Sequence, residues 1–341
     1  MDKKRNFFNK KDDFMEISII GAGSWSTAIA SVLSENFDVL IYSRNEEDVN
    51  YINAKHYNRK YLNNYSLSKR IRATNDISDL FKNKYIVNGI PTQAVREVLL
   101  NCKNFVNKDH IFINLSKGLE LKTHYRISQI FKEVIGDNPY IILSGPSHAE
   151  EVIIKMPTTV VCACEDESLA KDVQKIFNTD YFRVYSSTDV VGVELGGAIK
   201  NILALCIGML TGLGYGDNTK AAIMTRGIHE MTKFSVNFGA NPKTINGLAG
   251  IGDLIVTATS KHSRNNRAGI LFGKGCTIDQ VTNKINMVVE GIPTTRAIYE
   301  KANEKNIELP ITNEIYKVLF EGKSANDSAC DLMGRNLKSE F

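Results

Sequence analysis

The sequence predicts a doubly wound α/β domain followed by an all-helical domain. Short β-rich runs alternate with helical patterns up to residue 187, the first run ends in a Gly-rich turn, and strand signals nearly vanish after Ser187. Continuous apolar strands separated by amphipathic helices are typical of a largely parallel sheet that is buried on both faces. A length of 341 residues also suits two domains.

Seven runs before residue 187 are predicted strands: MEISII, DVLIYS, YIVNGI, HIFINLS, YIILSG, TTVVCAC and FRVYSS. Segments such as DESLAKDVQKIFN supply helices between them, and the second domain has helical patterns in GIHEMTKFSVNFGA, TIDQVTNKI, TTRAIYEKANEKNI and ITNEIYKVLFEG. We expect an N-terminal extension at 1–14, the α/β domain at 15–187 and the helical domain at 188–341. Met15 is either the true start of the chain or the residue that follows a short tether.

Composition and charge argue against several classes of protein. A net charge of +4 lacks the dense basic stripe of a nucleic-acid surface but suits an enzyme that handles anionic metabolites. The first 14 residues contain no apolar stretch of secretory length. The longest apolar helix, 190–213, is interrupted by Glu194, Lys200 and Asn201, which argues against a membrane span. We therefore expect a cytoplasmic protein with no nucleic-acid or membrane partner.

The six cysteines show neither a metal-ligand spacing nor a disulfide framework. Cys162 and Cys164 share one face of a predicted strand, and free thiols in a reducing compartment explain them better than a zinc site does. The six histidines also lack metal-ligand spacing, so we expect no metal.

A Gly-rich turn between the first strand and a helix predicts a dinucleotide site. The strand at 16–20 is followed by Gly21 and Gly23, and a helix opens at about Ser24. The first Gly allows the tight turn, the second lets a phosphate approach the backbone, and the helix N-terminus offers unpaired N–H donors. The first domain is therefore predicted to be Rossmann-type. Ser26 stands where a third Gly or Ala is usual, and the helix is expected to lie slightly farther from the sheet.

The end of the second strand bears on the choice between NAD and NADP. The run 42–45 lacks the acid that would hold the ribose hydroxyls of NAD, whereas Ser43 and Arg44 can receive the 2′-phosphate of NADP. Glu46 and Glu47 lie close enough to weaken this inference, and Arg44 can equally be a solvated surface residue. The expected cofactor is NAD or NADP.

A lysine on a smooth apolar helix is the first catalytic candidate. Lys200 is accompanied at helical spacing by Gly196, Gly197, Ala204 and Gly208, so one helix face is nearly bare. We expect room for a ligand beside the ammonium, and burial would lower its pKa toward the range of a general acid or base. The alternatives are a lysine that snorkels at the helix edge and glycines that serve close helix packing.

Two further residues are candidates for the same site. Lys117 follows the predicted strand IFINLS, at the carboxyl end where open α/β sheets bind ligands, although surface lysines are common there too. Asp253 ends the Gly-rich segment NGLAGIGD and precedes Thr257 by one turn. It either caps a helix or orients a lysine in the site.

A polar, basic turn follows Asp253 closely in the sequence. It contains Ser263, Arg264 and Asn265, and an Arg fork is suited to a phosphate dianion. The turn is either a site for a substrate phosphate or an ordinary surface loop.

Taken in order, the motifs of this chain resemble those of the bacterial NAD(P)-dependent glycerol-3-phosphate dehydrogenases over residues 15–336. The motifs that carry the resemblance are GAGSW, VNGIPTQ, SKGLE, SGPSHAEE, LGGAIKN, GLAGIGDL, SRN and VVEG. The resemblance implies reversible hydride transfer between NAD(P)H and dihydroxyacetone phosphate, which gives sn-glycerol 3-phosphate, a precursor of phospholipids. It also implies a homodimer.

The resemblance implies roles for individual residues. Lys200 is similar to the family's general acid/base, Lys117 to a lysine that binds and polarises the substrate, and Asp253 to the acid that positions the catalytic lysine. The implied substrate contacts are these three together with Gly145, Ser147, Thr257, Ser263, Arg264 and Asn265. The implied cofactor contacts are Gly21, Gly23, Ser24, Trp25, Arg44, Lys117, Ala149, Arg264 and Glu290. His148 replaces the aromatic residue that is usual in the family's GPSFA motif and is expected to be a spectator.

Two rival hypotheses remain. One is another two-domain dehydrogenase that acts on a hydroxy acid or a sugar acid, and the other is a dinucleotide-binding sensor without catalysis. The phosphate turn argues against the first, and the presence of both lysines with Asp253 argues against the second. For an enzyme of this architecture, the active site is expected in a cleft.

Overall fold

The computed structural model describes residues 15–337 and 339–340. The N-terminal extension predicted at 1–14 lies outside these residues. The described chain divides into two compact units. The first contains residues up to 116 and residues 127–190, and the second contains 117–126 and residues from 191 onward. The segment that carries Lys117 therefore belongs to the second unit.

One sheet of eight strands organises the first unit. Its spatial order is third, second, first, fourth and then fifth to eighth, and only the sixth and seventh strands pair antiparallel. The prediction of a largely parallel, doubly wound sheet is confirmed. The strands are β1 (Glu16–Ile20), β2 (Asp38–Tyr42), β3 (Ile71–Thr74), β4 (Tyr85–Asn88), β5 (Ile111–Asn114), β6 (Tyr140–Ser144), β7 (Thr158–Ala163) and β8 (Phe182–Ser187).

All seven predicted strands are present, and β3 is the strand that the sequence analysis missed. It lies at the edge of the sheet, has four residues, and exposes Arg72 between two inward-facing residues. Short, charged edge strands are a common defence against edge-to-edge pairing, and the same properties remove the apolar run that announces a buried strand.

Helices cover the sheet of the first unit. They are α1 (Ser24–Leu33), α2 (Glu46–Lys55), α3 (Val95–Cys102), α4 (Ile127–Val134), α5 (Ala149–Val152) and α6 (Glu167–Phe177). The predicted helix α6 begins where the Asp166 side chain accepts hydrogen bonds from the backbone of Ser168 and Leu169. The chain order reverses between β1 and β4, and such a switch point opens a crevice at the carboxyl ends of the strands.

The second unit is built from helices, as predicted. They are α7 (Val190–Gly212), α8 (Asp217–Val236), α9 (Pro242–Ile245), α10 (Asp253–Thr259), α11 (Arg264–Gly273), α12 (Ile278–Ile285), α13 (Gly291–Glu304), α14 (Pro310–Phe320) and α15 (Ala325–Met333). A π-helical turn, Leu248–Gly252, leads directly into α10.

The central helix of the second unit is α7. It is the one helix in the described chain that is long and apolar enough to cross a membrane, and its apolar stretch is 94% buried within the fold. Such burial is what a core helix requires, because its apolar circumference is covered by other helices.

The glycines of α7 permit this close packing. A Cβ on Gly196 would lie 2.8 Å from the Ala249 carbonyl oxygen, and one on Gly208 would lie 2.2 Å from that of Asn266. At these two positions the bare face that the sequence predicts is filled by neighbouring backbone. The expectation that it leaves room for a ligand is wrong there, and the alternative of close helix packing is correct.

Candidate active site

The Gly-rich turn has the geometry of a phosphate cradle. Gly21 adopts a φ of +101°, which L side chains rarely adopt, and a Cβ there would lie 3.0 Å from Ile90 Cγ2. Gly23 precedes α1, whose first turn has no side-chain cap, and a Cβ on Gly23 would meet nothing within 4 Å. The α1 N-terminus, which begins at Ser24, therefore offers backbone N–H groups beside open space, as a pyrophosphate requires.

Trp25 supplies a further donor at this helix start. Its ring packs against the core of the first unit, 6.5 Å from the ring of Phe182 between centroids. Its buried Nε1 has no hydrogen-bond partner within the described chain. A buried indole N–H normally finds an acceptor, so the turn as built fits a bound anionic group.

Ser26, at the third position of the Gly pattern, is accommodated by Gly89, which follows β4. Ser26 is fully buried, and its hydroxyl donates to the carbonyl oxygen of Gly89 at 3.0 Å. A Cβ on Gly89 would lie 2.0 Å from Ser26 Oγ. The missing side chain after β4 therefore makes room for the hydroxymethyl group on α1.

Asn58 supports the turn, a role that was not predicted from the sequence. The side chain is buried, and its amide nitrogen donates to the Ala22 carbonyl at 2.8 Å and to Thr27 Oγ1 at 2.9 Å. It thereby joins the turn to the first helical turn of α1. A lone Asn in a loop 36 residues downstream carries no local sequence signal of this role.

Arg44 is exposed at the carboxyl end of β2. The acids that follow it are partly neutralised, because Arg59 bonds both Glu47 and Asp48 at 2.6 Å. Arg59 thus offsets Glu47, which is one of the two acids, Glu46 and Glu47, that weakened the inference that Arg44 contacts an anion. Exposure keeps this compensation small.

The segment after β6 holds three further sequence candidates of the first unit. Gly145 has a φ of +146°, and a Cβ there would lie 2.9 Å from Val160 Cα, so the close approach of β7 requires glycine. The Ser147 hydroxyl donates to the Gly145 carbonyl at 2.9 Å. His148 immediately precedes α5, of which Ala149 is the buried first residue.

The second unit brings together both candidate lysines and the candidate acid. Lys200 Nζ donates to Asp253 Oδ1 at 2.7 Å, and Lys117 Nζ donates to Asp253 Oδ2 at 2.6 Å. Thr257 Oγ1 accepts a second bond from Lys200 at 2.7 Å. Asp253 is 1% exposed and Lys200 7% exposed, so one buried carboxylate bridges two ammonium groups.

The π-helical turn before α10 places this carboxylate. A Cβ on Gly250 would lie 1.9 Å from the Ile245 carbonyl oxygen, so the chain can turn this tightly only with glycine there. Gly252 occupies the cap position and Asp253 the first helical position. The Asp253 side chain bonds the lysines, which favours the site interpretation over that of a helix cap.

The surroundings of Lys200 and Asp253 lower the pKa values of both groups. Burial, assisted by the positive charges of Lys117 and Arg264, lowers the pKa of Lys200 from its usual 10.5 to about 8, against the opposing charge of Asp253. Burial favours the neutral form of Asp253, but the ammonium groups of Lys117 and Lys200 outweigh it and lower the pKa of this carboxyl. At neutral pH the centre is an aspartate between two ammonium groups.

The basic turn that contains Ser263 and Arg264 forms the start of α11. Ser263 Oγ accepts the Asn266 backbone N–H at 3.1 Å and caps the helix. Arg264 Nη1 donates to the Val288 carbonyl at 3.0 Å. Asn265 is nearly buried: its side chain donates to Asn201 Oδ1 at 2.8 Å and accepts from the Gly291 N–H at 2.9 Å.

The same hydrogen-bond network includes the start of α13. Glu290 is the residue before α13, whose first residue, Gly291, makes the bond to Asn265. Asn201 follows Lys200 on α7, so the two asparagines tie the helix of Lys200 to the helix of Arg264. Asn265 was predicted from the sequence, whereas the hydrogen bond that it shares with Asn201 was not.

A doubly wound sheet with a Gly-rich phosphate turn, followed by a helical unit with a buried lysine–aspartate–lysine centre, defines an NAD(P)-dependent oxidoreductase. Models of the NAD-dependent glycerol-3-phosphate dehydrogenase N-terminus and C-terminus match residues 16–170 and 189–329. The chain belongs to the NAD-dependent glycerol-3-phosphate dehydrogenase family.

Individual relatives are similar over nearly their whole length. A Staphylococcus haemolyticus glycerol-3-phosphate dehydrogenase [NAD(P)+] is 48% identical, with 95% of this chain and 99% of that protein covered. A Macrococcus caseolyticus protein of the same name is 46% identical, with 96% of this chain and 100% of that protein covered. The crystal structure of glycerol-3-phosphate dehydrogenase from Coxiella burnetii superposes with a TM-score of 0.91 at 33% identity, over 94% of this chain and 99% of that one.

Proposed function

We propose that this protein catalyses the reversible reduction of dihydroxyacetone phosphate to sn-glycerol 3-phosphate with NADH or NADPH. The observation that carries the proposal is the bridging of Lys200 and Lys117 by the buried carboxylate of Asp253. Such a centre holds two positive charges where a carbonyl oxygen becomes an alkoxide during reduction. The family match supplies the identity of the substrate.

Lys200 is assigned as the general acid of the reduction. Negative charge develops on the substrate oxygen as hydride reaches the carbon, and a buried ammonium stabilises this charge and then donates its proton. A pKa of about 8 places Lys200 close to the operating pH, where both proton donation and proton uptake in the reverse reaction are efficient.

Lys117 and Asp253 complete the centre. Lys117 is assigned to bind and polarise the substrate carbonyl, and its side chain keeps 16% exposure, more than that of Lys200. Asp253 positions both ammonium groups through its two oxygens. Thr257 fixes Lys200 from a second direction and is also assigned as a substrate contact.

The phosphate of the substrate is assigned to the start of α11. Arg264 uses one guanidinium nitrogen for the Val288 carbonyl, and a guanidinium has five N–H donors, so donors remain for a dianion. Asn265 retains one amide hydrogen, and the Ser263 hydroxyl retains its own proton. We also assign substrate contacts to Gly145 and Ser147 of the first unit.

The cofactor is assigned to the Gly-rich turn. Gly21, Gly23, Ser24 and Trp25 would hold the pyrophosphate at the α1 N-terminus, and Arg44 the ribose or its 2′-phosphate. The bound nicotinamide supplies the hydride or accepts it in the reverse direction. Four further cofactor contacts are assigned by family resemblance alone: Lys117, Ala149, Arg264 and Glu290.

The domain organisation and the cellular setting complete the proposal. Residues 15–187 form the dinucleotide-binding domain and 188–341 the substrate-binding domain. The protein acts as a homodimer in the cytoplasm and supplies glycerol 3-phosphate for phospholipid synthesis. Its partners are small molecules, and neither a nucleic acid nor a membrane takes part.

Oxidation of the reduced nicotinamide, followed by near-ultraviolet absorbance, tests the reaction. Purified protein is given NADH or NADPH with dihydroxyacetone phosphate, and parallel samples receive unphosphorylated dihydroxyacetone or a small 2-keto acid. We expect rapid oxidation with the phosphorylated ketone alone. Faster oxidation with the keto acid would favour a hydroxy-acid dehydrogenase. Cofactor binding without turnover of any substrate would favour a sensor.

A further inference from the structure

Residues Lys117–Arg126 form a compact excursion of the chain, here called the Lys117 hairpin. Leu119 and Arg126 pair as an antiparallel bridge, and the Glu120 N–H donates to the Tyr125 carbonyl at 3.0 Å. Leu119 is 1% exposed and belongs to the apolar core of the second unit. The bridge joins Arg126 to Leu119, which lies two residues from Lys117.

An ion pair joins Arg126, the last residue of this hairpin, to α7. Arg126 Nη1 donates to Glu194 Oε2 at 2.6 Å, and the Glu194 side chain is 5% exposed. The sequence places Glu194 six residues before Lys200, on a different face of the helix, and offers it no partner within the helix. The structure supplies this partner from a segment 68 residues away.

His124 adds a second fastening. Its Nε2 lies 2.9 Å from Glu300 Oε2 and its Nδ1 lies 3.4 Å from Glu304 Oε1, both on α13. Glu300 also accepts from Arg296 at 2.9 Å. These carboxylates are more exposed than that of Glu194, so this contact is the weaker of the two.

We propose that Arg126 and Glu194 are positioning residues of the dehydrogenase centre, which hold the Lys117 hairpin on the helix that carries Lys200. These contacts form a closed circuit. From α7 it runs through the Lys200–Asp253 and Asp253–Lys117 ion pairs to the start of the hairpin. It returns from the end of the hairpin to α7 through the Arg126–Glu194 pair. The inference deepens the proposed function, because it rests on the assigned role of Lys117. Neither residue of the pair touches the substrate in this account.

Opening the circuit should misplace Lys117 without removing it. Glu194→Gln keeps the shape of the side chain and deletes its charge. The Arg126 side chain is 19% exposed, so its guanidinium can be hydrated by water when the ion pair is lost. A displacement of about 1 Å at a catalytic group can cost roughly 100-fold in rate. We expect Glu194→Gln to lower kcat/KM for dihydroxyacetone phosphate by roughly 10- to 100-fold. Arg126→Gln should give a loss of the same order.

A double-mutant cycle with Lys117→Met separates positioning from general damage. If Glu194 acts through Lys117, Glu194→Gln should change the residual rate of the Lys117→Met protein by no more than about twofold. The matched control is Glu308→Gln, which breaks the exposed Arg335–Glu308 pair of the same unit, also 2.6 Å long, and should leave kinetics unchanged. An equal loss from Glu194→Gln in both backgrounds would overturn the proposal.

A second readout is independent of turnover. Brief acetylation of the intact protein, with peptide mass spectrometry, measures how readily each lysine reacts, and thermal unfolding confirms that each variant is folded. We expect Lys117 to react faster in folded Glu194→Gln than in the wild type or in Glu308→Gln. An unchanged Lys117 rate in folded Glu194→Gln would overturn the proposal. If the wild-type protein reduces no dihydroxyacetone phosphate, the proposed function fails, whereas the labelling still decides whether the pair positions Lys117.

Discussion

Lys200 and Asp253 form a buried ion pair 2.7 Å long, in which neither side chain is more than 8% exposed. Burial alone would drive both groups toward their neutral forms, and each stabilises the charged form of the other. Lys117 adds a second ammonium to the same carboxylate. The centre therefore carries a net positive charge that suits a developing alkoxide.

Removal of the Asp253 carboxylate should damage both stability and activity. Asp253→Asn leaves two ammonium groups together without a counter-ion, and the loss of one partner of a buried pair typically costs about 3–5 kcal/mol. Denaturant unfolding measures the loss. Asp217→Asn, which breaks an exposed pair with Lys220, is the control and should change stability by less than about 0.5 kcal/mol. Near-equal stabilities of the Asp253 and Asp217 variants would contradict the paired, charged centre.

The direction of the reaction should depend on pH through Lys200. Because its pKa is about 8, the ammonium needed for ketone reduction is lost as pH rises above 8, whereas the neutral amine needed for alcohol oxidation is gained. We expect kcat/KM for reduction to fall, and that for oxidation to rise, through this range.

The pKa of Lys200 should depend on the positive charge of Lys117. Deleting its positive charge in Lys117→Met raises the pKa of Lys200, so the fall in the residual reduction rate should move to higher pH. Profiles of kcat/KM against pH for both proteins measure the shift. A fall at the same pH in both proteins would show that the two ammonium groups do not interact.

Arg44 should discriminate between the two cofactors. If it meets the 2′-phosphate, Arg44→Ala loses a charge-assisted bond and weakens NADPH binding by about tenfold while NADH binding changes little. Fluorescence titration of each cofactor measures both affinities. Arg183→Ala, at another exposed arginine of the first unit, serves as the control. An equal loss for both cofactors would exclude a phosphate contact.

Gly21 should be required for cofactor binding beyond its contribution to stability. Gly21→Ala places a side chain at φ +101°, 3.0 Å from Ile90, whereas Gly136→Ala meets a similar φ of +104° with nothing within 4 Å. Both substitutions should cost roughly 1–3 kcal/mol of stability from backbone strain. NADH titration should show lost affinity for the Gly21 variant alone. A comparable loss in both variants would mean that strain, and not the cradle, governs binding.

The sequence predicts those parts of the fold that are encoded locally. Each apolar strand and the turn of Gly21 and Gly23 depend on residues adjacent in the chain, and all were found. The strand β3 was missed because an edge strand with Arg72 exposed needs no apolar run. Lys200 was conspicuous because a charge on a smooth apolar helix is rare.

The supporting contacts of the site could not be predicted in this way. Asn58 reaches the turn across 36 residues, and Arg126 reaches Glu194 across 68. Neither residue forms a periodic pattern, so its partner is apparent only after the chain has folded. The glycines of α7 were correctly identified as a bare helix face. At Gly196 and Gly208 this face serves helix packing, because it lets neighbouring backbone approach.

The most direct test of the account is the turnover of Lys200→Ala, measured beside its affinity for NADH. A general acid contributes about 10²- to 10⁴-fold, so we expect reduction of dihydroxyacetone phosphate to fall by at least roughly 100-fold while NADH binds as in the wild type. Activity retained within tenfold, about 1.4 kcal/mol in the barrier, would contradict the assignment of Lys200 as the proton donor.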